Sequence, residues 1–331
     1  MPQRSARHQC ADPATIARDA RANPSLLAKA PIGLIGEVLG GTDWLGGPGD
    51  DGAVVEDRGS CLVVGGEAIF PPFVAADPFG AGVAAVLTNV NDLAAMGATP
   101  LALVDTFAGT EPVARRALEG MRWASELYDV PIVGGHLTVR DAAPALSAFG
   151  LGRTDHTLSA RRAAAGQTLM LACCLDGRMR ADFPFFPSFD ERGTRLAGDV
   201  RLLAELADRG LVAAAKDVSM AGLLGSLGML LEYGRLGVTV DLDAVPVPAD
   251  VPLTRWLSCF PCFSFLLCVP RGAEDACAEA FGDRDLVAQA IGVLDGTGVL
   301  RVSTGRESAP VFDLTAESVT GLPTHSPRPA R

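Results

Sequence analysis

Short apolar stretches alternate with helix-forming stretches along the first half of this chain, and the alternation limits the folds open to it. Cys61–Val64 and Leu101–Phe107 are apolar and of strand length, whereas Ala81–Met96 and Glu111–Tyr128 have helical spacing. Asp77 and Pro78 precede the first of these helices as an N-cap and a first-turn proline. Strands and helices in alternation are typical of layered α/β or α+β domains, and we predict that class.

A polar connection rich in arginine and alanine at residues 155–166 indicates a boundary between two domains. Beyond it, we expect helices near 194–209 and 220–233, and strands at 168–174, 237–242, 263–269 and 287–294. The Phe- and Pro-rich stretch Phe183–Phe189 is predicted to be a loop that serves as a lid or an interdomain contact. The predicted organisation is an N-terminal helical extension over 1–44, domains over 45–158 and 165–320, and a disordered tail over 321–331.

The charge of the chain argues against nucleic acid as a partner. The 331 residues carry 28 basic and 39 acidic side chains, a formal net charge of −11. Nucleic-acid binders gain much of their affinity from basic surfaces, and no Lys/Arg cluster of that kind occurs here. The most apolar stretch, Trp256–Val269, is too short for a membrane span and contains Pro261. The N-terminus lacks the apolar core of a signal peptide, so we expect a cytoplasmic protein.

The eight cysteines are expected to be free thiols, because a chain of this kind is predicted to be cytoplasmic. Cys259 and Cys262 form a single C-x-x-C pair. A zinc site would need a second pair or suitably placed histidines, and the four histidines are scattered. Buried thiols of an apolar strand are therefore the preferred interpretation, and a redox or metal role is the alternative.

Several acidic residues occupy unusual positions, within an apolar helix, in a glycine turn or beside the end of an element. Asp92 lies within an otherwise apolar helix, and Asp50 and Asp51 lie in a glycine turn. Glu67 follows two glycines, and Asp217 precedes another helix. Carboxylates that converge without basic partners are held together well by a hard divalent cation, above all Mg²⁺. Turn, cap and solvated-face roles are the alternative. The sequence has neither a P-loop nor a dinucleotide fingerprint.

Five segments, in order, resemble the superfamily of AIR synthase, thiamine-monophosphate kinase, hydrogenase maturation factor and selenophosphate synthetase. The turn Gly49–Val54 resembles its GDDAAV turn, and Asn91–Ala98 resembles its (S/N)D-x-x-AMG helix. Ile132–His136 is similar to its GGD or GGH turn. Phe70–Gly80 and Asp217–Gly225 resemble stretches of the selenophosphate synthetase branch. Together these segments identify the chain as a member of this PurM-type ATP-binding superfamily.

The resemblance implies a PurM-like two-domain fold, in which the N-terminal domain forms a β-barrel across a homodimer and the C-terminal domain is α/β. It implies ATP and Mg²⁺ as cofactors, with ATP in the cleft between the domains. It places a small-molecule substrate there, with no nucleic acid and no membrane as partners. The residues implied are Asp50, Asp51, Glu67, Asp92 and Asp217 for metal; Asp51, Asp92 and Asp217 for catalysis; and Gly49, Glu67, Asn89, Gly134, Gly135 and His136 for the nucleotide or substrate.

The sequence also departs from two branches of this superfamily. Selenophosphate synthetases carry a glycine-rich loop with a reactive Cys or selenocysteine and a nearby Lys, whereas Cys10 has no such loop and Lys29 is distant. Thiamine-monophosphate kinases have Asp where His136 and Met220 stand. We therefore predict an ATP-dependent phosphotransferase or synthetase with its own substrate. The alternatives are a non-catalytic ATP-binding accessory protein, a thiamine-monophosphate kinase-like kinase, and a redox protein that uses Cys259 and Cys262.

Overall fold

The computed structural model describes residues 12–39 and 49–322. Cys10, the turn at 46–48 and the predicted tail beyond residue 322 lie outside the described residues. Two compact units are formed from alternating parts of the chain. Unit 1 contains residues 12–39, 160–188 and 211–322, and unit 2 contains residues 49–159 and 189–210. No helix within the described residues is long and apolar enough to cross a membrane.

The described strands number fourteen, and they confirm the mixed α/β class. In chain order they are β1 Ala53–Asp57, β2 Ser60–Ile69, β3 Thr99–Gly109, β4 Ile132–Val139, β5 Ala145–Thr154, β6 Thr168–Cys173, β7 Phe185–Phe186, β8 Ala214–Asp217, β9 Gly237–Asp241, β10 Phe260–Pro261, β11 Ser264–Val269, β12 Val287–Asp295, β13 Val299–Thr304 and β14 Glu307–Asp313.

The α-helices of the described chain connect these strands. They are α1 Pro13–Arg21, α2 Pro24–Leu27, α3 Gly33–Leu39, α4 Pro71–Ala76, α5 Pro78–Ala95, α6 Glu111–Tyr128, α7 Phe189–Arg192, α8 Leu196–Asp208, α9 Gly222–Glu232, α10 Leu253–Leu257 and α11 Glu274–Gly282. Short 3-10 turns occur at Ala30–Ile32, Ala160–Arg162 and Gly193–Arg195.

Unit 2 is a five-stranded sheet in the order β1-β2-β5-β3-β4. All its pairs are antiparallel except β3 with β4, which is parallel. The helix α5 packs across β2 and β5 and also against α6. It begins where the sequence predicts, because the Asp77 carboxylate accepts a hydrogen bond from the Gly80 amide at 2.9 Å and Pro78 takes the first helical position. One face of the sheet is therefore covered by helices.

Residues 189–210 belong to unit 2 by their contacts. Phe189 packs edge-on against Trp123 of α6, with ring centroids 5.3 Å apart. The guanidinium of Arg201 donates hydrogen bonds to the carbonyl oxygens of Tyr128 and Asp129 at 2.9 and 2.8 Å. These contacts hold α7 and α8 on α6 and complete the helical layer of unit 2.

Unit 1 contains a seven-stranded sheet in the order β14-β13-β9-β12-β6-β11-β8. Its neighbouring interior strands β6 and β11 are buried along their whole length, in keeping with their apolar sequences. The stretch Phe183–Phe189, predicted to be a loop, contains β7, which pairs with β10 in a separate two-stranded sheet. The helix α1 packs on β13 and β14, so residues 12–39 of the predicted extension are part of unit 1.

Candidate functional site

The turn that carries Asp50 and Asp51 is fixed by its glycines. Gly49 has φ of 103°, a conformation that side chains disfavour. Gly52 is buried, and a Cβ there would lie 2.7 Å from Cγ1 of Val63. The hydroxyl of Ser159 donates a hydrogen bond of 2.5 Å to the Asp50 carboxylate. The turn therefore lies tightly against β2, with Asp51 two residues before the start of β1.

The structure brings Asp51 and Asp92 together within unit 2. A carboxylate oxygen of Asp51 and one of Asp92 lie within 4.8 Å of each other. Gly65 on β2 makes this approach possible: a Cβ there would lie 3.3 Å from the Asp51 carbonyl oxygen and 4.0 Å from the Asp92 Cβ. Asp92 has an exposed fraction of 8%. Two carboxylates this close, one of them buried, repel each other in water and are stabilised by a cation.

Asn89 lies one helical turn before Asp92 on α5 and is fully buried. Its amide nitrogen donates to the carbonyl oxygens of Ala85 and Ala148 at 2.9 and 3.2 Å. Its amide oxygen Oδ1 is buried without a hydrogen-bond partner. A buried acceptor left unsatisfied costs free energy, and neutral amide oxygens are good ligands for hard cations. This oxygen therefore fits the prediction that Asn89 contributes to the site.

A row of residues runs across the helix-covered face of the sheet close to these groups. Ala148 on β5 is paired with Glu67 on β2 on one side and with Asp105 on β3 on the other. Asp105 is in turn paired with Gly135 on β4. Residues in register across neighbouring strands share a face. The predicted residues Glu67 and Gly135 therefore lie on the face that α5 covers, and Glu67 is two residues from Gly65.

Asp105 is a member of this row that the sequence analysis missed. Its exposed fraction is 8%, and burial raises the pKa of its carboxyl group. Its Oδ1 lies 2.4 Å from where a Cβ of Gly135 would stand, so the second glycine of the Gly-Gly-His turn leaves room for this carboxylate. An acidic residue inside the apolar stretch Leu101–Phe107 was the signal in the sequence that could have revealed it.

His136 and Gly134 lie on the opposite face of the sheet. His136 is in register with Thr106, and Gly134 with Val104. Along the two strands, these positions alternate with Asp105 and Gly135. Exposed side chains or backbone are found at Val104, Thr106, Gly134 and His136. Within one chain, His136 therefore does not share the face that carries Asp92 and Glu67.

Asp217 belongs to unit 1, where it is the last residue of β8. It is buried, and one of its oxygens lies 3.5 Å from Nζ of Lys216, which is also buried. The loop after it is held by a hydrogen bond from the Val218 amide to the Ser264 carbonyl oxygen at 2.9 Å. Asp217 thus lies at the end of a buried strand.

The cysteines of unit 1 do not have the environment of reactive thiols. Neither Cys259 nor Cys262 forms a disulfide, and both side chains are fully buried. Burial raises the pKa of Cys259 to about 12, and it also raises the pKa of Cys173. A thiol with so high a pKa carries almost no nucleophilic thiolate at neutral pH. This environment favours buried structural thiols over the redox alternative.

The acidic and amide side chains around Asp92 in unit 2 are suited to bind a hard cation. Asp51, Asp92 and Asn89 offer oxygen ligands, and Glu67 adds a further carboxylate on the same side of the sheet. Mg²⁺ prefers oxygen ligands and keeps positions for substrate phosphates. The donor set therefore fits Mg²⁺ that carries a phosphate-containing ligand.

Two stretches of the chain match known families. Residues 49–154 match the AIR synthase related protein, N-terminal domain, and residues 190–304 match the AIR synthase related protein, C-terminal domain. The chain therefore belongs to the AIR synthase related family, within the PurM-type ATP-binding superfamily, as the motifs predicted.

The chain is similar to relatives that match either most of their own length or only part of it. It is 35% identical over 278 residues to the uncharacterized protein sll0787 of Synechocystis, which covers 83% of this chain and 86% of that protein. It is 31% identical over 170 residues to a thiamine-monophosphate kinase of Rhodopirellula baltica, half of each chain. T. maritima PurL complexed with ATP has the same fold, with a TM-score of 0.73 and 19% identity over 96% of this chain. The chain spans about half the length of that PurL chain, 55%.

Proposed function

We propose that this protein is a Mg-ATP-dependent phosphotransferase or synthetase that phosphorylates or activates a small metabolite. The observation that carries the proposal is the approach of the Asp51 and Asp92 carboxylates to within 4.8 Å of each other. The unsatisfied oxygen of Asn89 on the same helix supports it. Membership of a superfamily with ATP-dependent enzymes supports ATP as the ligand.

Asp51, Asp92 and Glu67 would hold Mg²⁺, with Asp50 beside them, and the ion would neutralise the phosphates of ATP. Catalysis in phosphoryl transfer depends mostly on positioning and on charge stabilisation, so the residues need few acid–base steps. The burial of Asp92 supports this role, because a carboxylate that is shielded from water binds a cation more strongly. We propose Asp217 as a further Mg²⁺ ligand on the resemblance of its segment alone.

We further propose that the protein is a homodimer that uses the open face of the unit 2 sheet. Val64, Val104 and Phe149 are exposed on neighbouring strands of that face, and Phe149 is directly opposite Val104. A monomer rarely leaves a contiguous apolar surface on a sheet uncovered. His136 and Gly134 lie on the same face. Their proposed contact with nucleotide or substrate would then involve the surface that a second copy covers.

Isothermal titration calorimetry tests the proposal, with ATP and with AMP-PNP, each in Mg²⁺ and in EDTA. Binding that requires Mg²⁺ is the expected result, and a screen of metabolites for ATP consumption would then identify the acceptor. Binding that is equally strong in EDTA would contradict a metal-held nucleotide. Mg-dependent binding without turnover on any metabolite would favour the accessory alternative.

A further inference from the structure

Among the attachments of the N-terminal segment of unit 1 to the rest of that unit, two lie at the end of α1 and the start of α2. The first is at the end of α1, where the Arg21 guanidinium donates hydrogen bonds of 2.7 and 2.8 Å to the two carboxylate oxygens of Glu317. It also donates one of 2.7 Å to the Val311 carbonyl oxygen. This attachment lies at β14, at one edge of the seven-stranded sheet.

The second attachment is made by Asn23, whose amide group has two tasks. Its oxygen accepts hydrogen bonds from the amides of Ser25 at 2.8 Å and Leu26 at 3.4 Å, which caps α2. Its nitrogen donates to the carbonyl oxygens of Ala221 at 3.2 Å and Met220 at 3.5 Å. Both carbonyls belong to the loop of residues 218–221, which connects β8 to α9.

Leu26 continues the same attachment with apolar packing. Its exposed fraction is 4%, and it contacts the first turn of α9. A Cβ at Gly225 would lie 3.1 Å from Cδ1 of Leu26 and 2.8 Å from Cβ of Ala221, so a glycine is required for this close approach. The helix α2 thereby packs on the start of α9, the helix that follows the loop.

The loop also has internal hydrogen bonds that fix its shape. The Gly222 amide donates to the Ser219 carbonyl oxygen at 2.8 Å, and the Ser219 amide donates to the Ser226 hydroxyl at 3.1 Å. Gly222 has φ of 70°, in the left-handed region. These bonds define the turn, whereas Asn23 joins it to a distant part of the sequence.

We propose that Asn23 is a positioning residue that holds the loop after Asp217 so that the Asp217 carboxylate is directed for Mg²⁺ binding. The inference rests on the proposed function, since it assigns Asp217 to the metal. It gives the N-terminal segment a task that motif comparison does not assign, because Asn23 lies outside all five motifs. The cap of α2 and the attachment of the loop use different atoms of one side chain, so substitutions can separate them.

Asn23→Ser and Asn23→Asp both keep an oxygen that can cap α2, but both lose the amide donor to the loop. Arg21→Ala is the matched control, because it loosens the same N-terminal segment at the other attachment. The measurement is the Mg²⁺ concentration for half-maximal binding of AMP-PNP by calorimetry, together with the thermal unfolding midpoint of each variant.

We expect both Asn23 variants to need fivefold or more Mg²⁺, with the larger effect in Asn23→Asp, where a carboxylate faces two carbonyl oxygens. Arg21→Ala should lower the unfolding midpoint and leave the Mg²⁺ requirement unchanged. Hydrogen exchange at the Val218, Ser219 and Gly222 amides should increase in the Asn23 variants only.

Two results would overturn the inference, and they differ from each other. Wild-type Mg²⁺ requirement in both Asn23 variants, in a protein that binds Mg-AMP-PNP, contradicts the positioning role and leaves the proposed function intact. A wild-type protein that binds no nucleotide overturns the proposed function and the role of Asn23 with it, whatever the exchange rates of the loop.

Discussion

An oxygen of the Asp92 carboxylate lies within 4.8 Å of an oxygen of the Asp51 carboxylate, at a point where Gly65 lets a turn and a helix approach the same strand. The pair draws one residue from the first turn of the sheet and one from the helix that covers it. A single carboxylate binds a cation weakly. The close approach of the turn and the helix at Gly65 of β2 lets the two carboxylates bind one cation together.

Asp92→Asn removes one negative charge from this pair and keeps the shape of the side chain. We expect Mg-ATP binding to weaken tenfold or more, about 1.4 kcal/mol, because the cation loses a charged ligand. Calorimetry with Mg-AMP-PNP measures the change. Asp141→Asn, which neutralises an exposed acid of unit 2, is the control and should bind as the wild type does. Wild-type affinity in Asp92→Asn would refute the assignment of the site.

Asp105 should make the stability of the protein depend on pH in a particular direction. Burial raises its pKa, so the native state holds this proton more tightly than the unfolded chain. As the pH rises from the ordinary aspartate pKa of about 3.9 through the raised native value, the free energy of unfolding falls. Asp105→Asn removes this dependence and should be more stable than the wild type at pH 7.

Urea denaturation of wild type and Asp105→Asn between pH 3.5 and 7 measures that difference. The difference in the free energy of unfolding between Asp105→Asn and the wild type should be smallest at the acidic end. It should grow with pH until it becomes constant. A gain that does not change with pH would mean that the Asp105 carboxyl group titrates as it does in the unfolded chain.

Arg192 and Asp199 form a bidentate ion pair in unit 2, with two hydrogen bonds of 2.8 Å between side chains that are 1% and 0% exposed. Asp199→Ala leaves a buried guanidinium without its counter-charge, and we expect a loss of about 3–5 kcal/mol in the free energy of unfolding. Glu119→Gln, which breaks the exposed pair with Arg116, should cost less than about 1 kcal/mol. Chemical denaturation measures both, and equal losses would contradict the role given to burial.

The buried thiols should resist alkylation in the folded protein. Cys173, Cys174, Cys259, Cys262, Cys268 and Cys277 are buried, and burial raises the pKa of Cys259 and Cys268 to about 12. Iodoacetamide at pH 7.5, followed by peptide mass spectrometry, should label these six only after denaturant is added. Rapid labelling of Cys259 or Cys262 in the native protein would restore the redox alternative.

The sequence was sufficient for the parts of the site that depend on local pattern. Asp92 stood out because a carboxylate in an apolar helix needs a stabilising partner, and the Asp77–Pro78 helix start was read correctly. The face on which His136 lies was beyond reach, because it depends on the register of β4 against β3. Asp105 was missed although it interrupts an apolar stretch, because its contact with Gly135 on the neighbouring strand also depends on this register.

The membership of α7 and α8 in unit 2 was likewise hidden from the sequence. Helical periodicity revealed that a helix lies near 194–209, but the partner of that helix is determined by Trp123 and by the carbonyl oxygens of Tyr128 and Asp129. Such contacts join positions about seventy residues apart, for example Arg201 and Tyr128 with a separation of 73. Local propensity carries no information at that range.

The pairing of Arg21 with Glu317 spans a sequence separation of 296 residues, and it bears on how the chain is made. At a synthesis rate of about 5–20 residues per second, α1 leaves the ribosome roughly 15–60 s before its partner strand exists. During that interval the side of α1 that carries Ile16 and Ala17, buried in the finished protein, has no permanent partner. The helix α1 is thus secured long after it is synthesised, and this segment is where a nascent chain would most need a chaperone.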